Sequence, residues 1–187
     1  DDVVRLCSAL GIVKPIVLGQ SFGGFVAQRY LARHPAHPAR VVLSSTSHHL
    51  GLVRKLAMFE KLGGAAARDA AQAFWTAPNA ATWAVYNQHC KHLYNVQPAH
   101  PDVGARTVFN EEILFTSASG EQQSMQLLPG LAQVQCPVLV MVGDQDPVTP
   151  LADAQDIAAA IPAPWGRLVR FANAGHGAWR DEPEAAM

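Results

Sequence analysis

Short, unbroken apolar runs alternating with helical patterns constrain this chain more than any other feature. Pro15-Ile16-Val17-Leu18-Gly19, Arg40-Val41-Val42-Leu43-Ser44 and Pro137-Val138-Leu139-Val140-Met141-Val142-Gly143 are each strand-sized. Continuous apolar runs of that length are the pattern of strands buried on both faces of a parallel sheet. Parallel neighbours need crossovers, and helical periodicity supplies them. Phe22, Phe25, Val26 and Tyr30 fall on one helical face, and Pro35 ends the pattern at His34. An amphipathic helix over Val3, Leu6, Cys7 and Leu10 precedes the first run, behind the acidic Asp1 and Asp2 and before Gly11. A further helix is expected from Leu151 to Ile161 and a strand at Leu168-Val169-Arg170-Phe171. The order reads as an α/β fold with a mostly parallel sheet flanked by helices.

The alternation breaks between residues 48 and 130. Alanine-rich and leucine-rich stretches, Leu52 to Leu62 and Ala65 to Trp75, are punctuated by Gly63-Gly64, Pro78, Pro98 and Pro101. The reading is a core in two parts, 1–47 and 131–187, with a helical cap at 48–130. At 187 residues, 49% hydrophobic and 16% charged, the chain has enough apolar material for a core and is not disordered. A net charge of −1 gives no electrostatic footprint for nucleic acid or an anionic membrane, and no run is long enough to span one. The expected partner is a small molecule or short peptide. Cys7, Cys90 and Cys136 are odd in number and widely spaced, which suggests neither a disulfide framework nor a zinc ribbon. A reducing, cytoplasmic location follows as the expectation.

Gly19-Gln20-Ser21-Phe22-Gly23 lies where an apolar strand hands over to a helix. A sharp turn there lifts a serine hydroxyl clear of the sheet, and the following N–H, that of Phe22, can donate to a developing oxyanion. Serine needs a histidine base, itself oriented by a carboxylate. Gly143-Asp144-Gln145-Asp146-Pro147 follows an apolar strand, and His176 stands in the glycine-flanked loop after the last strand. Carboxyl ends of parallel strands are where catalytic loops gather. Ser21, Asp146 and His176 are therefore the candidate triad. Asp144 competes with Asp146 for the acid role, the other carboxylate capping the turn. Asp153 and Asp156 read as solvent-facing or first-turn helix residues. His89 and His92 stand one helical turn apart around Cys90, but no third ligand is evident and no metal or cofactor is expected. His34, His37 and the pair His48-His49 fall in turn-like segments without partners in the sequence.

These residues resemble the α/β-hydrolase superfamily over almost the whole chain. The stretch from Gly19-Gln20-Ser21-Phe22-Gly23-Gly24 to Tyr30, Val41-Val42-Leu43-Ser44-Ser45, Gly143 through Pro150, and Gly175-His176-Gly177 look most like the proline iminopeptidase branch. The resemblance implies a cofactor-free serine hydrolase working through an acyl-enzyme, with Ser21 as nucleophile, His176 as general base then acid, and Asp146 as its orienter. Aminopeptidases of that branch hold the substrate's α-amino group with cap glutamates, and Glu111 and Glu112 are the candidates here, or else exposed helix carboxylates. Some members carry an acidic residue just after the catalytic acid, where this chain has Pro147. Trp75, Trp83, Tyr86 and Phe115 either wall an apolar acyl or proline pocket or pack the cap. Release of N-terminal residues from small peptides is the implied activity. A carboxylesterase or lactonase acting on small apolar acyl groups would use the same triad, and a non-catalytic binding module would keep the fold alone.

The family places several strands, and a loop carrying a second oxyanion donor, ahead of the elbow strand, which puts them before Asp1. The resemblance thus implies an internal segment of a longer hydrolase, its last helix starting at Asp181-Glu182-Pro183-Glu184, and weak turnover by this chain alone, below about 1 s⁻¹.

Overall fold

The computed structural model describes residues 1–187. In chain order the elements are α1 (Asp2–Ala9), β1 (Ile16–Gln20), α2 (Phe22–Arg33), β2 (Arg40–Ser44), α3 (Leu52–Thr76), α4 (Ala80–His89), α5 (Val103–Arg106) and α6 (Glu111–Ser119). Then come α7 (Leu128–Leu131), β3 (Val138–Gly143), α8 (Leu151–Ala160), β4 (Gly166–Phe171), α9 (Ala178–Asp181) and α10 (Pro183–Ala186). The four strands form one parallel sheet in the order β1-β2-β3-β4.

Side chains alternate across a strand, and β3 divides accordingly. Val138, Val140 and Val142 enter a core with Leu43 of β2, Ala27 and Leu31 of α2, Leu131 of α7, and Ala154 and Ile157 of α8. Met141 points the other way, to Phe171, Ala174 and Ala178. The apolar run of β3 is thus covered on both faces, as its pattern predicts.

The run of β1 is not. It is the outer strand and pairs with β2 alone, so Ile16 and Leu18 stand 69% and 63% exposed. An apolar run records what a strand can bury; its place in the sheet decides whether a neighbour covers it. The same correction holds for the helices beside it. In α2 the buried face is Gly24, Phe25, Ala27, Gln28, Tyr30 and Leu31, while Phe22 and Val26 are exposed. In α1 Cys7 is buried and Leu6 is exposed, as is Leu10 just past its end.

Residues 48–130 contain helices and no strand, and their apolar side chains form a second cluster that also takes in Val148. Phe59, Phe74, Trp75, Trp83, Tyr86 and Cys90 pack together with Ala67, Ala70, Ala71 and Ala118. The two helical stretches read around Gly63-Gly64 are both present within the span of α3 and meet at a kink at Gly64, whose φ of 71° and ψ of −168° are not helical. No helix is long and apolar enough to cross a membrane. Leu43 is fully buried at the centre of the sheet core. Leu43→Ala is expected to lower the unfolding free energy by about 2–5 kcal/mol, read from urea denaturation midpoints.

Candidate active site

The turn after β1 holds Ser21 in a backbone conformation that few residues adopt, with φ 52° and ψ −116°. Such strain persists only where surroundings over-determine it. Here the Ser21 N–H donates to Ser44 O at 3.0 Å, while Ser21 O accepts from Thr46 Oγ1 at 2.8 Å and from Gly24 N at 2.9 Å. Gly19 is required for steric reasons, since a Cβ there would lie 2.5 Å from Gly23 O. Phe22 opens α2, and a first helical residue has no intrahelical acceptor for its N–H. That donor lies beside Ser21.

The structure brings Ser21, His176 and Asp146 into one line. His176 Nε2 is 2.9 Å from Ser21 Oγ, and His176 Nδ1 is 2.9 Å from Asp146 Oδ2 and 3.1 Å from Oδ1. These residues come from loops after β1, β3 and β4, all at the carboxyl edge of the sheet. The Asp146 and His176 loops approach so closely that a Cβ on Gly143 would lie 2.1 Å from Ala174 O. Only glycine fits there.

Asp146 has no solvent exposure. Its Oδ1 accepts the N–H groups of Val148 and Thr149, each at 2.8 Å, and its Oδ2 accepts the Thr149 hydroxyl at 2.8 Å. Burial by itself would push this carboxyl up; the neighbouring His176 and the Thr149 donors outweigh it and hold the group below its ordinary value. Asp144 lies apart from this line. It makes a two-pronged pair with Arg170, at 3.1 and 2.8 Å, on the outer side of the loop. Asp146 itself both caps the turn and meets His176, so the two roles the sequence divides between the aspartates fall to one.

Beside Ser21 and His176 opens a cavity of about 320 Å³. Phe22, Trp75 and Trp83 line it, with Phe25, Phe74 and Phe109 adding further apolar wall. Tyr86 does not; it is fully buried within the cap core, and Phe115 packs against that core. Glu111 and Glu112 are exposed in the first turn of α6, and neither lines the cavity. The sequence marks them as cap-region candidates but does not orient them. A helix turns side chains 100° per residue, and in this turn Ile113 and Leu114 line the cavity while Glu111 and Glu112 do not. Lys55 and Lys91 line the cavity as well, and no Asp or Glu does.

A family model described as the alpha/beta hydrolase fold matches residues 1–183. The chain belongs to this family. RutD of Caulobacter sp. (strain K31), provisionally named a carbamate hydrolase, is 28% identical over 202 residues, covering 99% of this chain and 67% of that protein. The proline iminopeptidase of Mycobacterium smegmatis has a similar structure, with TM-score 0.69 at 22% identity over 99% of this chain and 66% of that one. The esterase EaEST from Exiguobacterium antarcticum gives 0.62 at 20% identity, covering 99% and 68%. The chain spans about two thirds of the length of these proteins.

Three features of this alpha/beta hydrolase escaped the sequence reading. Thr149 binds the Asp146 carboxylate, a role that the spacing Asp146-Pro147-Val148-Thr149 signals as an aspartate capping the N–H groups two and three residues on. Asp181, buried in α9, accepts the Gly175 N–H at 2.8 Å, the Val96 and Gln97 N–H groups at 3.1 Å, and the Asn95 amide at 3.2 Å. It clasps the His176 loop to the cap. His48 and His49, without partners in sequence, meet Asp156 and Asp153 from α8. Asp153 is buried rather than solvent-facing, and binds Ser47 Oγ at 2.7 Å and Arg54 at 2.8 Å. The candidate ligand atoms of His48, His49 and Asp153 lie within 4.8 Å of one another. The two rings stack nearly parallel, 7° apart, so their in-plane lone pairs run side by side instead of converging on one ion.

Because the native Asp146 carboxyl titrates below its unfolded value, its stabilisation is complete above the ordinary carboxylate value near 3.9 and is lost as pH falls through the lowered native one. In Asp146→Asn the fall in urea midpoint on acidification below about pH 4 should be shallower than in the wild type. Equal slopes would show that the native fold does not favour the ionised carboxylate.

Proposed function

We propose that this alpha/beta hydrolase cleaves carboxylic esters or lactones through a Ser21-His176-Asp146 triad and an acyl-enzyme. The observation that carries the reading is the unbroken line of contacts from Ser21 Oγ through both ring nitrogens of His176 to a buried carboxylate. An ionised Asp146 can only accept hydrogen bonds, so His176 Nδ1 carries the proton and Nε2 is left to accept from the Ser21 hydroxyl. On attack, the Ser21 proton passes to Nε2 as Oγ bonds the substrate carbonyl carbon. The Phe22 N–H, at the positive end of α2, donates to the oxygen that gains charge. His176 then returns the proton to the departing alcohol, and water repeats the sequence to free the acid.

The cavity's charge favours an ester over an N-terminal peptide. An aminopeptidase substrate brings an α-ammonium, and this cavity would set it among Lys55 and Lys91 with no carboxylate to receive it. Like charges in a partly desolvated site repel. The aromatic walls suit an apolar acyl chain instead.

The test is intact-mass labelling with a fluorophosphonate probe, which reports the serine nucleophile directly. Ser21→Ala should abolish labelling, and His176→Ala should slow it by about 10²–10⁴-fold, the usual contribution of a general base. Asp146→Ala should slow it markedly, and Asp144→Ala should leave it unchanged. Turnover of 4-nitrophenyl butyrate should exceed that of proline 4-nitroanilide. The reverse preference overturns the ester assignment, and labelling that survives Ser21→Ala overturns the triad.

A further inference from the structure

The cavity beside Ser21 is lined by two lysines, Lys55 and Lys91, and by no carboxylate. Lys55, in the first turn of α3, is 2% exposed. Its Nζ donates to Val148 O at 2.5 Å and lies 4.3 Å from the centre of the Trp75 ring. An ammonium has three N–H donors, and Val148 O accepts one of them.

The carboxylates whose field reaches Lys55 are Asp153 and Asp146, and both are committed elsewhere. Asp153 binds Ser47 and Arg54, and Asp146 binds the 148–149 turn and His176. Burial draws the Lys55 amine down to about 8 despite their pull. The Trp75 ring lines the same cavity, while its Nε1 is closed off from it and turned to the fully buried Tyr86. Lys91 is exposed and lies 4.4 Å from the centre of Tyr94 and 5.6 Å from that of Trp83.

A buried cation whose donors are not all matched is costly. A carboxylate in the cavity would accept from the Lys55 donors that Val148 O leaves over. We propose that Lys55 determines specificity by pairing with an ionised carboxylate that the substrate carries in addition to its scissile ester. The substrate class is then the half-esters of dicarboxylic acids. The apolar walls at Phe74, Trp83 and Phe109 take the methylene chain, and the field of Lys91 adds to the attraction. The assignment of a scissile ester rests on the reading of Ser21 given above; the carboxylate site itself does not.

The test is titration calorimetry of this chain with adipate and with its neutral analogue adipamide. Adipate should bind at least about tenfold more tightly than adipamide, the size expected of a charge-assisted hydrogen bond. Lys55→Met should remove that difference, and Lys55→Arg, which keeps the charge, should retain part of it. Because both ligands meet the same variant, a general loosening of the fold moves both affinities and leaves their ratio as the readout. Should Lys55→Met fail to fold, the wild-type comparison decides alone.

In turnover, the ratio of kcat/KM for 4-nitrophenyl hydrogen adipate over 4-nitrophenyl hexanoate should exceed unity and drop in Lys55→Met. Equal affinity for adipate and adipamide, no binding of adipate, or a preference that survives Lys55→Met overturns the proposal. Adipate preference without fluorophosphonate labelling of Ser21 would sink the hydrolase reading and leave the carboxylate site standing. Labelling without adipate preference would do the reverse.

Discussion

A carboxylate withdrawn from water governs the geometry of this site. An ionised group with no solvent contact is tolerated only when its oxygens are supplied with donors, and Asp146 draws them from three places. The N–H groups of Val148 and Thr149 dictate the path of the chain after β3, and the Thr149 hydroxyl completes the turn. His176 supplies the remaining contact. Once the carboxylate is satisfied in this way, the imidazole has one orientation, and its second nitrogen faces Ser21.

The parallel sheet makes that arrangement reachable. Strands that run the same way deliver their following loops to one edge, so residues 125 positions apart in sequence, Ser21 and Asp146, bracket the same histidine. The loops then need close approach, which Gly143 permits by lacking a Cβ. The cap is tied to the same place at two points. Lys55 of α3 reaches Val148 O, next to the turn that holds Asp146, and Asp181 binds Gly175 together with the cap backbone at Val96 and Gln97. Cap and core therefore share the loops that carry the chemistry, so a change in the cap's root is felt at the triad.

Proteins of this fold that are similar at 20–28% identity carry names as different as esterase, proline iminopeptidase and carbamate hydrolase. The shared sheet does not choose among them, because function resides in the site rather than in the fold that supports it. In this chain the cavity sets Lys55 and Lys91 among aromatic rings, with no acid in the wall. The proposed preference for an ester rests on that lining and is an argument independent of any likeness.

The sequence by itself determined the fold class and the triad candidates, because both are written in local patterns. Apolar runs, helical periodicity and glycine-flanked turns are properties of neighbouring residues, and Ser21, Asp146 and His176 each follow a run of that kind. The choice between Asp144 and Asp146 lay outside those patterns, since both stand in the same loop; only the third dimension shows one turned to His176 and the other to Arg170. The same holds for the exposed face of β1, whose apolar run cannot say where in the sheet it lies. Glu111 and Glu112 turned outward while Lys55, unremarked in sequence, turned in, because a helix's rotation about its axis is set by packing over the whole cap. The charge of the cavity was decided by that packing, and with it the side of chemistry this site can serve.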